Sequence, residues 1–169
     1  LYLTDDQPFL YQELGPRWRL GLSVSKDKFE QVSFVNGIST SKGGKHIDFI
    51  TKQLTTLIKD QIKKKAKKDV NENYIKNYLK IFLDCMIENP SFDSQTKERL
   101  ITTASKFGSK PGSPDKIVKQ LLEKTDLMNR VLMFTDFKLN KESKKTDGHK
   151  KSKIRDIPKL DDANWAGTK

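Results

Sequence analysis

The sequence predicts an α+β fold in which helices cover one face of a mixed β-sheet. Two segments near the start of the chain alternate apolar and polar residues with the two-residue period of a strand. A longer segment then repeats apolar residues at helical spacing, and a further alternating segment follows it. The order strand, strand, helix, strand, loop, helix is typical of a helical layer on one face of a sheet.

The first predicted strand begins near Arg17, and its apolar face carries Trp18, Leu20, Leu22 and Val24. Residues 1–16 show no clear period and are expected to be the end of an upstream connection. A polar turn at residues 26–28 leads into a second strand at residues 29–36. Because apolar side chains fall on both sides of this second strand, we expect both of its faces to be covered.

A long helix is predicted next, because apolar residues recur at its spacing: Ile47, Ile50, Leu54, Leu57, Ile58 and Ile62. A polar segment at residues 69–77 leads into a third strand, which alternates Leu79, Ile81, Leu83 and Cys85 with other residues. Cys85 is the only cysteine, which excludes an intrachain disulfide and a thiolate metal cluster. We interpret Cys85 as a small buried hydrophobic residue.

The loop at residues 36–45 ends in two glycines and a lysine, which invites comparison with a phosphate-binding P-loop. The spacing differs from that motif, since Ser39 stands where the first glycine belongs and His46 follows the lysine. A tight strand-to-helix turn is therefore favoured, with an independent anion site as the alternative. His46 has no ligand partner at useful spacing, and we expect it to have a structural role.

The loop at residues 88–99 is the main candidate site. Pro90 ends the preceding strand, and Phe92 is expected to anchor the loop because it is the only large apolar residue before Leu100. The donors expected to face an anion are Ser94, Gln95, Thr96 and Lys97. The alternative interpretation, which the chemistry of the residues alone favours, is a solvated loop that precedes a helix starting near Thr96.

Beyond this loop, the run Ser113-Pro114-Asp115 has the features of a helix N-terminus. Apolar residues between Ile117 and Phe134 predict one interrupted helix or two consecutive helices. Residues 138–153 carry many lysines and only Leu139 as a large apolar residue, so they are expected to form a basic flexible linker. Apolar character returns at residues 154–160.

The chain has 169 residues, a formal net charge of +11 and 34% hydrophobic residues. This composition predicts one compact domain, or one domain with a tail. The excess of lysine and arginine favours a polyanionic partner. No apolar run is long enough to span a membrane, and no membrane contact is expected. The chain begins at Leu1, without a methionine or a signal peptide, and is expected to be a piece of a longer protein.

A run of lysines follows the long predicted helix: Lys63, Lys64, Lys65, Lys67 and Lys68. One interpretation is a solvated helix end, because cations suit the C-terminal helix dipole. A stand-alone basic nucleic-acid-binding module without enzymatic activity would also explain the run and the net charge. An autonomous small enzyme is disfavoured, since no carboxylate pair, metal cluster or Ser/His/Asp arrangement has a readable spacing.

The octapeptide at residues 91–98, Ser-Phe-Asp-Ser-Gln-Thr-Lys-Glu, resembles a loop of the eukaryotic type II DNA topoisomerases. In that family the loop reaches from the transducer domain into the ATP site. The segments at residues 31–36, 41–46 and 157–164 occur in the order that the family uses, although Trp165 departs from its pattern. The resemblance implies a ribosomal-protein-S5-domain-2-like transducer, with a left-handed crossover.

The family couples an ATPase domain to a DNA-cleavage core through this transducer. The resemblance therefore implies a transducer domain at residues 17–137, a basic flexible linker at 138–153 and the start of the DNA-cleavage (toprim) region at 154–169. The ATPase fold would lie upstream and the cleaving tyrosine downstream, so the fragment alone is expected to be inactive. A nuclear homodimer acting on DNA is implied for the full-length protein.

The resemblance also assigns roles to residues. It implies that Lys97 is catalytic and that Gln95, Thr96 and Lys97 contact ATP. ATP and Mg²⁺ would be bound mainly by regions outside this chain, and no metal ligand is expected within it. In the family a lysine-rich loop at the position of the lysine run touches DNA, which implies DNA binding by Lys63, Lys64, Lys65, Lys67 and Lys68.

Overall fold

A computed structural model describes residues 8–26 and 28–146, with side chains described as far as residue 141. The strands are β1 (Leu10–Glu13), β2 (Trp18–Val24), β3 (Glu30–Val35), β4 (Ile38–Ser39) and β5 (Leu79–Cys85). The helices are α1 (Lys45–Ala66), α2 (Glu72–Asn77), α3 (Asp115–Lys124) and α4 (Leu127–Thr146), with a 3₁₀ turn at Ala104–Lys106.

The five strands form one sheet in the order β1-β2-β5-β3-β4. The pair β3 and β5 is parallel, and the other neighbouring pairs are antiparallel. Parallel neighbours need a crossover connection, and the segment holding α1 and α2 supplies it between β3 and β5. The predicted mixed sheet and α+β class are confirmed.

The core lies between one face of the sheet and α1. On this face the register pairs Leu20 with Leu83 and Leu22 with Ile81, so the apolar sets of β2 and β5 coincide. The predicted helical stripe packs here as well, and its members are at most 4% exposed apart from Leu57, which is partly buried. The alternation and the stripe therefore located the core correctly.

Residues 10–13 do not belong to an upstream connection, contrary to the expectation from their lack of a period. They form β1, an edge strand antiparallel to β2, with Leu10 opposite Leu22. The side chain of Gln12 accepts a hydrogen bond from the Ile117 N–H (2.9 Å), which ties β1 to the first turn of α3. Leu10 alone is buried among the four residues, so the strand has no readable period.

Two further short elements were not predicted. Strand β4 lies within the loop at residues 36–45, and α2 lies within the polar segment at residues 69–77. The side chain of Asn71 accepts the Asn73 N–H (2.9 Å) and so caps α2. The helix that the alternative interpretation placed near Thr96 does not form, because residues 94–97 make a turn instead.

The other face of the sheet is only partly covered within the described part of the chain. We expected both faces of the second strand to be covered, but Phe34 is 38% exposed and Val32 is only partly buried. Both line a shallow groove of about 330 Å³, to which Phe9 and Phe82 also contribute. The expectation was wrong because apolar residues on both sides of a strand do not by themselves place a second layer.

The chain divides into two compact units, Leu1–Thr135 and Asp136–Lys169. The first unit contains the sheet, α1 to α3 and the start of α4. In the second unit the described residues continue as helix to Thr146. The flexible linker predicted at residues 138–153 is therefore helical up to residue 146, because lysine and glutamate favour helix. Residues 147–153, and the predicted region at 154–169, lie outside the described residues.

None of the described helices combines the length and the apolarity that crossing a membrane requires.

Candidate functional site

The loop at residues 88–99 begins just after β5, where the side chain of Asn36 is hydrogen-bonded to the backbone of Ile87. The Asn36 side chain donates to the Ile87 carbonyl and accepts the Ile87 N–H, both at 2.9 Å. Asn89 then adopts a left-handed backbone conformation, with φ of 47°. Pro90 follows at once. The chain therefore turns away from the sheet at a fixed point.

The base of the loop is fastened to the start of α1. The Leu100 N–H donates to the Gly43 carbonyl (3.1 Å), and the Lys45 N–H donates to the Leu100 carbonyl (3.0 Å). Leu100 is fully buried, and it also forms an antiparallel bridge with Phe92. Phe92 packs against the core, which agrees with its predicted role as the anchor of the loop.

The tip of the loop is a short turn closed by two backbone hydrogen bonds. The Lys97 N–H donates to the Ser94 carbonyl, and the Asp93 N–H donates to the Arg99 carbonyl, each at 3.1 Å. The hydroxyls of Ser94 and Thr96 lie 2.8 Å apart. Lys97 has a left-handed backbone, with φ of 57°. These bonds give the turn a defined shape although it lies on the surface.

The structure brings together the predicted ATP-contacting residues, Gln95, Thr96 and Lys97, on this turn, and all three are exposed. Among the described residues, no carboxylate forms an ion pair with the Lys97 ammonium. An exposed ammonium beside an amide and a hydroxyl presents several donors to an anion such as phosphate. The tip is therefore chemically suited to bind a phosphate group that arrives from outside the loop.

Lys42 and Glu98 form an ion pair at the edge of the tip, with Nζ and Oε2 2.6 Å apart. The Lys42 N–H also donates to the Glu98 carbonyl at 3.0 Å. The hydrogen bond from Lys42 lowers the pKa of the Glu98 carboxyl below its usual value, and the pKa of Lys42 is raised in return. Glu98 is thus held as an anion by Lys42, one residue away from Lys97.

The glycine pair at residues 43 and 44 makes the strand-to-helix turn that the sequence favoured. Gly44 is the N-cap of α1, with φ of 133°. The first amide of the helix, that of Lys45, is already bonded to Leu100. The arrangement supports a structural turn more than an independent anion site, because a P-loop requires free amides at this point.

His46 is buried in the first turn of α1. Its Nε2 lies 3.1 Å from the Thr40 hydroxyl, which in turn lies 2.6 Å from the Ser33 hydroxyl. Burial lowers the pKa of His46 to about 4, so the ring is neutral near pH 7. No group of three His, Cys, Asp or Glu side chains suited to a metal ion occurs in the part of the chain that the structure describes. These contacts agree with a structural role.

The lysine run lies at the far end of α1. Lys63, Lys64 and Lys65 occupy the last helical turn, and Lys67 is the C-cap with φ of 52°. All five lysines of the run are exposed. The helix has 22 residues, which corresponds to about 33 Å at 1.5 Å per residue. The structure therefore separates the run from the base of the loop by the length of the helix.

Four residues that hold the loop in place were not identified from the sequence as a site: Lys42, Gly44, Glu98 and Leu100. The glycine pair was a signal, since it was singled out as a tight turn. Nothing in the local sequence shows that its partner is Leu100, because the two segments lie far apart in the chain.

Known proteins match most of this chain. A family model described as DNA gyrase B matches residues 9–152. DNA topoisomerase 2 of Saccharomyces cerevisiae is 44% identical over 166 residues, which are 98% of this chain and 12% of the yeast protein. DNA topoisomerase 2 of Pisum sativum is 46% identical over 161 residues, which are 95% of this chain and 11% of the pea protein. The chain therefore spans a small part of the length of these relatives.

Solved structures agree with the sequence matches. The ATPase region of Saccharomyces cerevisiae topoisomerase II has 41% identity and a TM-score of 0.69, covering 76% of this chain and 32% of that chain. The ATPase and transducer domains of DNA topoisomerase II from Balamuthia mandrillaris have 36% identity and a TM-score of 0.71, covering 78% and 34%. The resemblance to eukaryotic type II DNA topoisomerases is confirmed, and the chain belongs to the DNA gyrase B family.

Proposed function

We propose that this chain is the transducer segment of an ATP-dependent type II DNA topoisomerase, with a ribosomal-protein-S5-domain-2-like fold and a left-handed crossover. In this role the loop tip places Lys97 against the terminal phosphate of an ATP bound by another part of the protein. The observation that carries the proposal is the exposed Lys97 ammonium on a turn that is fastened to the core. The relatives described as DNA topoisomerase 2 support it.

The chemistry of the tip fits a phosphate group. A positioned ammonium stabilises the charge that spreads over the phosphate oxygens during transfer. Gln95 and Thr96 add neutral donors on the same turn. Bound Mg²⁺ would neutralise phosphate charge, but its ligands and most ATP contacts are assigned to regions outside this chain. Lys97 is thus the catalytic contribution of the loop.

The same contact would report hydrolysis to the rest of the protein. When the terminal phosphate leaves, Lys97 loses its partner and the loop is released. The loop base is hydrogen-bonded to the start of α1. A movement of the released loop would therefore be transmitted to α1 and to the sheet on which α1 packs. This is the step through which ATP hydrolysis would be coupled to DNA double-strand passage.

The proposal is tested by Lys97→Ala in the full-length protein, which is expected to lower ATP turnover about 10-fold or more, the scale of losing a transition-state donor. Lys110→Ala is the matched control, because Lys110 is also an exposed lysine outside regular structure. The control should retain normal turnover. If Lys97→Ala leaves both ATP turnover and strand passage unchanged, Lys97 does not have this role.

The lysine run is proposed to contact DNA, because its five exposed lysines lie at one end of α1. The proposed partners of the segment are DNA, an ATPase domain and a DNA-cleavage core of the same polypeptide, within a homodimer. The proposed location is the nucleus, although one relative, from Dictyostelium discoideum, is described as mitochondrial. A phosphate contact at Lys97 and a DNA contact at the lysine run, on one segment, would fit a role in coupling ATP hydrolysis to DNA passage.

A stand-alone nucleic-acid-binding module is the second candidate, and the net charge of +11 favours it. This candidate predicts that DNA affinity of the isolated chain falls steeply with salt. It also predicts that substitutions at the loop tip change nothing measurable in the full-length protein. The Lys97→Ala experiment therefore separates the two candidates.

The proposed domain limits are a transducer at residues 17–137, now extended by β1, a linker at 138–153 that is helical as far as Thr146, and the start of the toprim region at 154–169. If residues 138–153 act as a joint, replacing their lysines with glutamine at constant length should preserve the coupling of ATP hydrolysis to strand passage. Prolines at residues 147–153 should stiffen the joint and reduce that coupling. The opposite pattern, with coupling lost in the glutamine variant and kept in the proline variant, would assign the segment to DNA binding.

A further inference from the structure

We infer that Lys42 and Glu98 act as a positioning pair for Lys97: Lys42 fixes the residue next to Lys97 and keeps the Glu98 carboxylate away from its ammonium. The inference rests on the proposed function of Lys97, and it assigns a specific task to two residues that do not themselves contact the nucleotide.

The pair joins the loop to a fixed part of the fold through two contacts. The Lys42 ammonium lies 2.6 Å from the Glu98 carboxylate, and the Lys42 N–H donates to the Glu98 carbonyl at 3.0 Å. Lys42 itself belongs to a turn closed by the Gly43 N–H and the Thr40 carbonyl (2.8 Å). The Thr40 N–H donates to the Ser33 carbonyl of β3, also at 2.8 Å. Through these hydrogen bonds, Lys42 connects strand β3 to the loop tip.

No other described contact ties the rest of the fold so close to Lys97. The Lys97 N–H bonds within the tip itself, to Ser94. The bond between Asp93 and Arg99 closes the loop but links it only to itself. Further along the chain, the next attachment is at Leu100. Removing the ion pair would therefore leave one backbone hydrogen bond, from the Lys42 N–H to the Glu98 carbonyl, as the attachment nearest to Lys97.

The negative charge of Glu98 lies one residue from Lys97 and is paired with the Lys42 ammonium. A free carboxylate next to Lys97 would attract its ammonium and repel an incoming phosphate. The hydrogen bond with Lys42 lowers the pKa of Glu98, and the Thr96 hydroxyl acts in the same direction. The carboxylate is therefore ionised and engaged on the side of Lys42. Lys97 is left to interact with an external anion.

The pair is exposed, with 66% of the Lys42 side chain and 37% of the Glu98 side chain accessible. Exposed ion pairs contribute little to global stability. Its loss is expected to change the position of the loop tip and not the folding of the protein. The midpoint of thermal unfolding should therefore be the same in the variants and the parent.

The test measures ATP turnover of the full-length protein carrying Lys42→Gln or Glu98→Gln. Because small misplacements of a catalytic group are costly, Lys42→Gln is expected to lower kcat about 5-fold, with little change in KM. Glu98→Gln is expected to cost less, because it removes the competing carboxylate together with the ion pair. The exchanged pair, Lys42→Glu with Glu98→Lys, should recover most of the loss. Lys80→Gln is the control for losing an ion pair elsewhere, since Lys80, whose side chain is 16% exposed, lies 3.1 Å from Glu30 between β5 and β3, outside the loop.

A double-mutant comparison shows whether the pair acts through Lys97. In a Lys97→Ala background, Lys42→Gln should cause no further loss of turnover. Additive losses would overturn the inference, because they would show an effect independent of Lys97.

An ATP-independent readout separates this inference from the proposed function. Amide hydrogen exchange of a peptide spanning residues 93–99 should accelerate in Lys42→Gln and stay unchanged in Lys80→Gln. If Lys97→Ala lowers turnover but Lys42→Gln changes neither turnover nor exchange, the inference is overturned and the proposed function stands. If Lys97→Ala has no effect on turnover, the proposed function fails and the inference fails with it.

Discussion

The backbone of Leu100 passes so close to Gly44 that a Cβ atom on Gly44 would lie 2.3 Å from the Leu100 carbonyl oxygen. Gly44 also has φ of 133°, which disfavours any other residue. The attachment of the loop to α1 therefore depends on the absence of a side chain at this position.

Gly44→Ala is expected to lower the free energy of unfolding by about 2–5 kcal/mol, from backbone strain together with the steric clash. Gly15→Ala is the control, because Gly15 also has φ of 133° but a Cβ atom there would meet nothing within 4 Å. It should cost only the strain, about 1–2 kcal/mol. Urea unfolding of both variants gives the comparison, and equal losses would mean that the contact with Leu100 is unimportant.

His46 should make stability depend on pH. Burial lowers the pKa of His46 to about 4, whereas the unfolded value is near 6.5. The unfolded chain binds this proton more readily, so the contribution is fully present above pH 6.5 and is lost as pH falls towards 4. The loss should amount to about 3 kcal/mol.

The measurement for His46 is urea unfolding at pH 7, 5.5 and 4.5, for the parent and for His46→Gln. Carboxyl groups titrate in both proteins, so the difference between the two curves isolates the histidine. That difference should shrink or reverse in sign as the pH falls. A constant difference would show that His46 does not titrate with a lowered pKa.

Cys85 should be unreactive in the folded chain. It is 1% exposed, and burial together with the nearby Asp84 charge raises the pKa of its thiol to about 12. Since the thiolate is the reactive form, labelling by dithionitrobenzoate at pH 8 should be at least about 100-fold slower than in urea. Ser105→Cys, at an exposed position, should react at once and provides the control. Rapid labelling of Cys85 without denaturant would contradict the buried position.

The lysine run should control the salt dependence of DNA binding. Replacing Lys63, Lys64, Lys65, Lys67 and Lys68 with glutamine removes five exposed charges. The slope of log affinity against log salt should shrink by about 2–4, because each lost phosphate contact reduces it by roughly 0.9. In the full-length protein, the same substitutions should lower DNA-stimulated ATP turnover and leave the basal ATP turnover unchanged.

Three exposed lysines of α3 provide the control for the DNA experiment: Lys116, Lys119 and Lys124. Their replacement with glutamine also lowers the net charge, but on another helix. An unchanged slope in the lysine-run variant, or an equal change per lysine in the α3 variant, would contradict a specific DNA contact by the lysine run.

The elements that the sequence predicted well are those whose pattern records burial directly. The alternation of β5 and the stripe of α1 record one buried side, whereas in β2 the predicted apolar face is buried but Gly21 and Ser23 on the other face are buried too. Strand β1 shows no such pattern, since only one of its four residues is buried. Its place in the sheet depends on pairing with β2 and on the bond between Gln12 and Ile117, which no local window contains.

The candidate site was predictable in a different way. Chemistry alone left the loop near Lys97 open between an anion-facing surface and a solvated turn. The resemblance of the octapeptide at residues 91–98 predicted contact with ATP. The structure shows that its residues 94–97 form an exposed turn. The contacts that hold it, Lys42 with Glu98 and Gly44 with Leu100, could not be predicted, because they join segments that are distant in sequence.

Helix α1 runs without interruption from Lys45 to Ala66, and its buried stripe rests along the sheet. One end is bonded to Leu100 behind the loop, and the other carries the lysine run. A helix of this length behaves as a stiff rod of about 33 Å. Because its stripe is buried from Ile47 to Ile62, the helix moves with the sheet as one body, so a displacement of the loop end also displaces the lysine end.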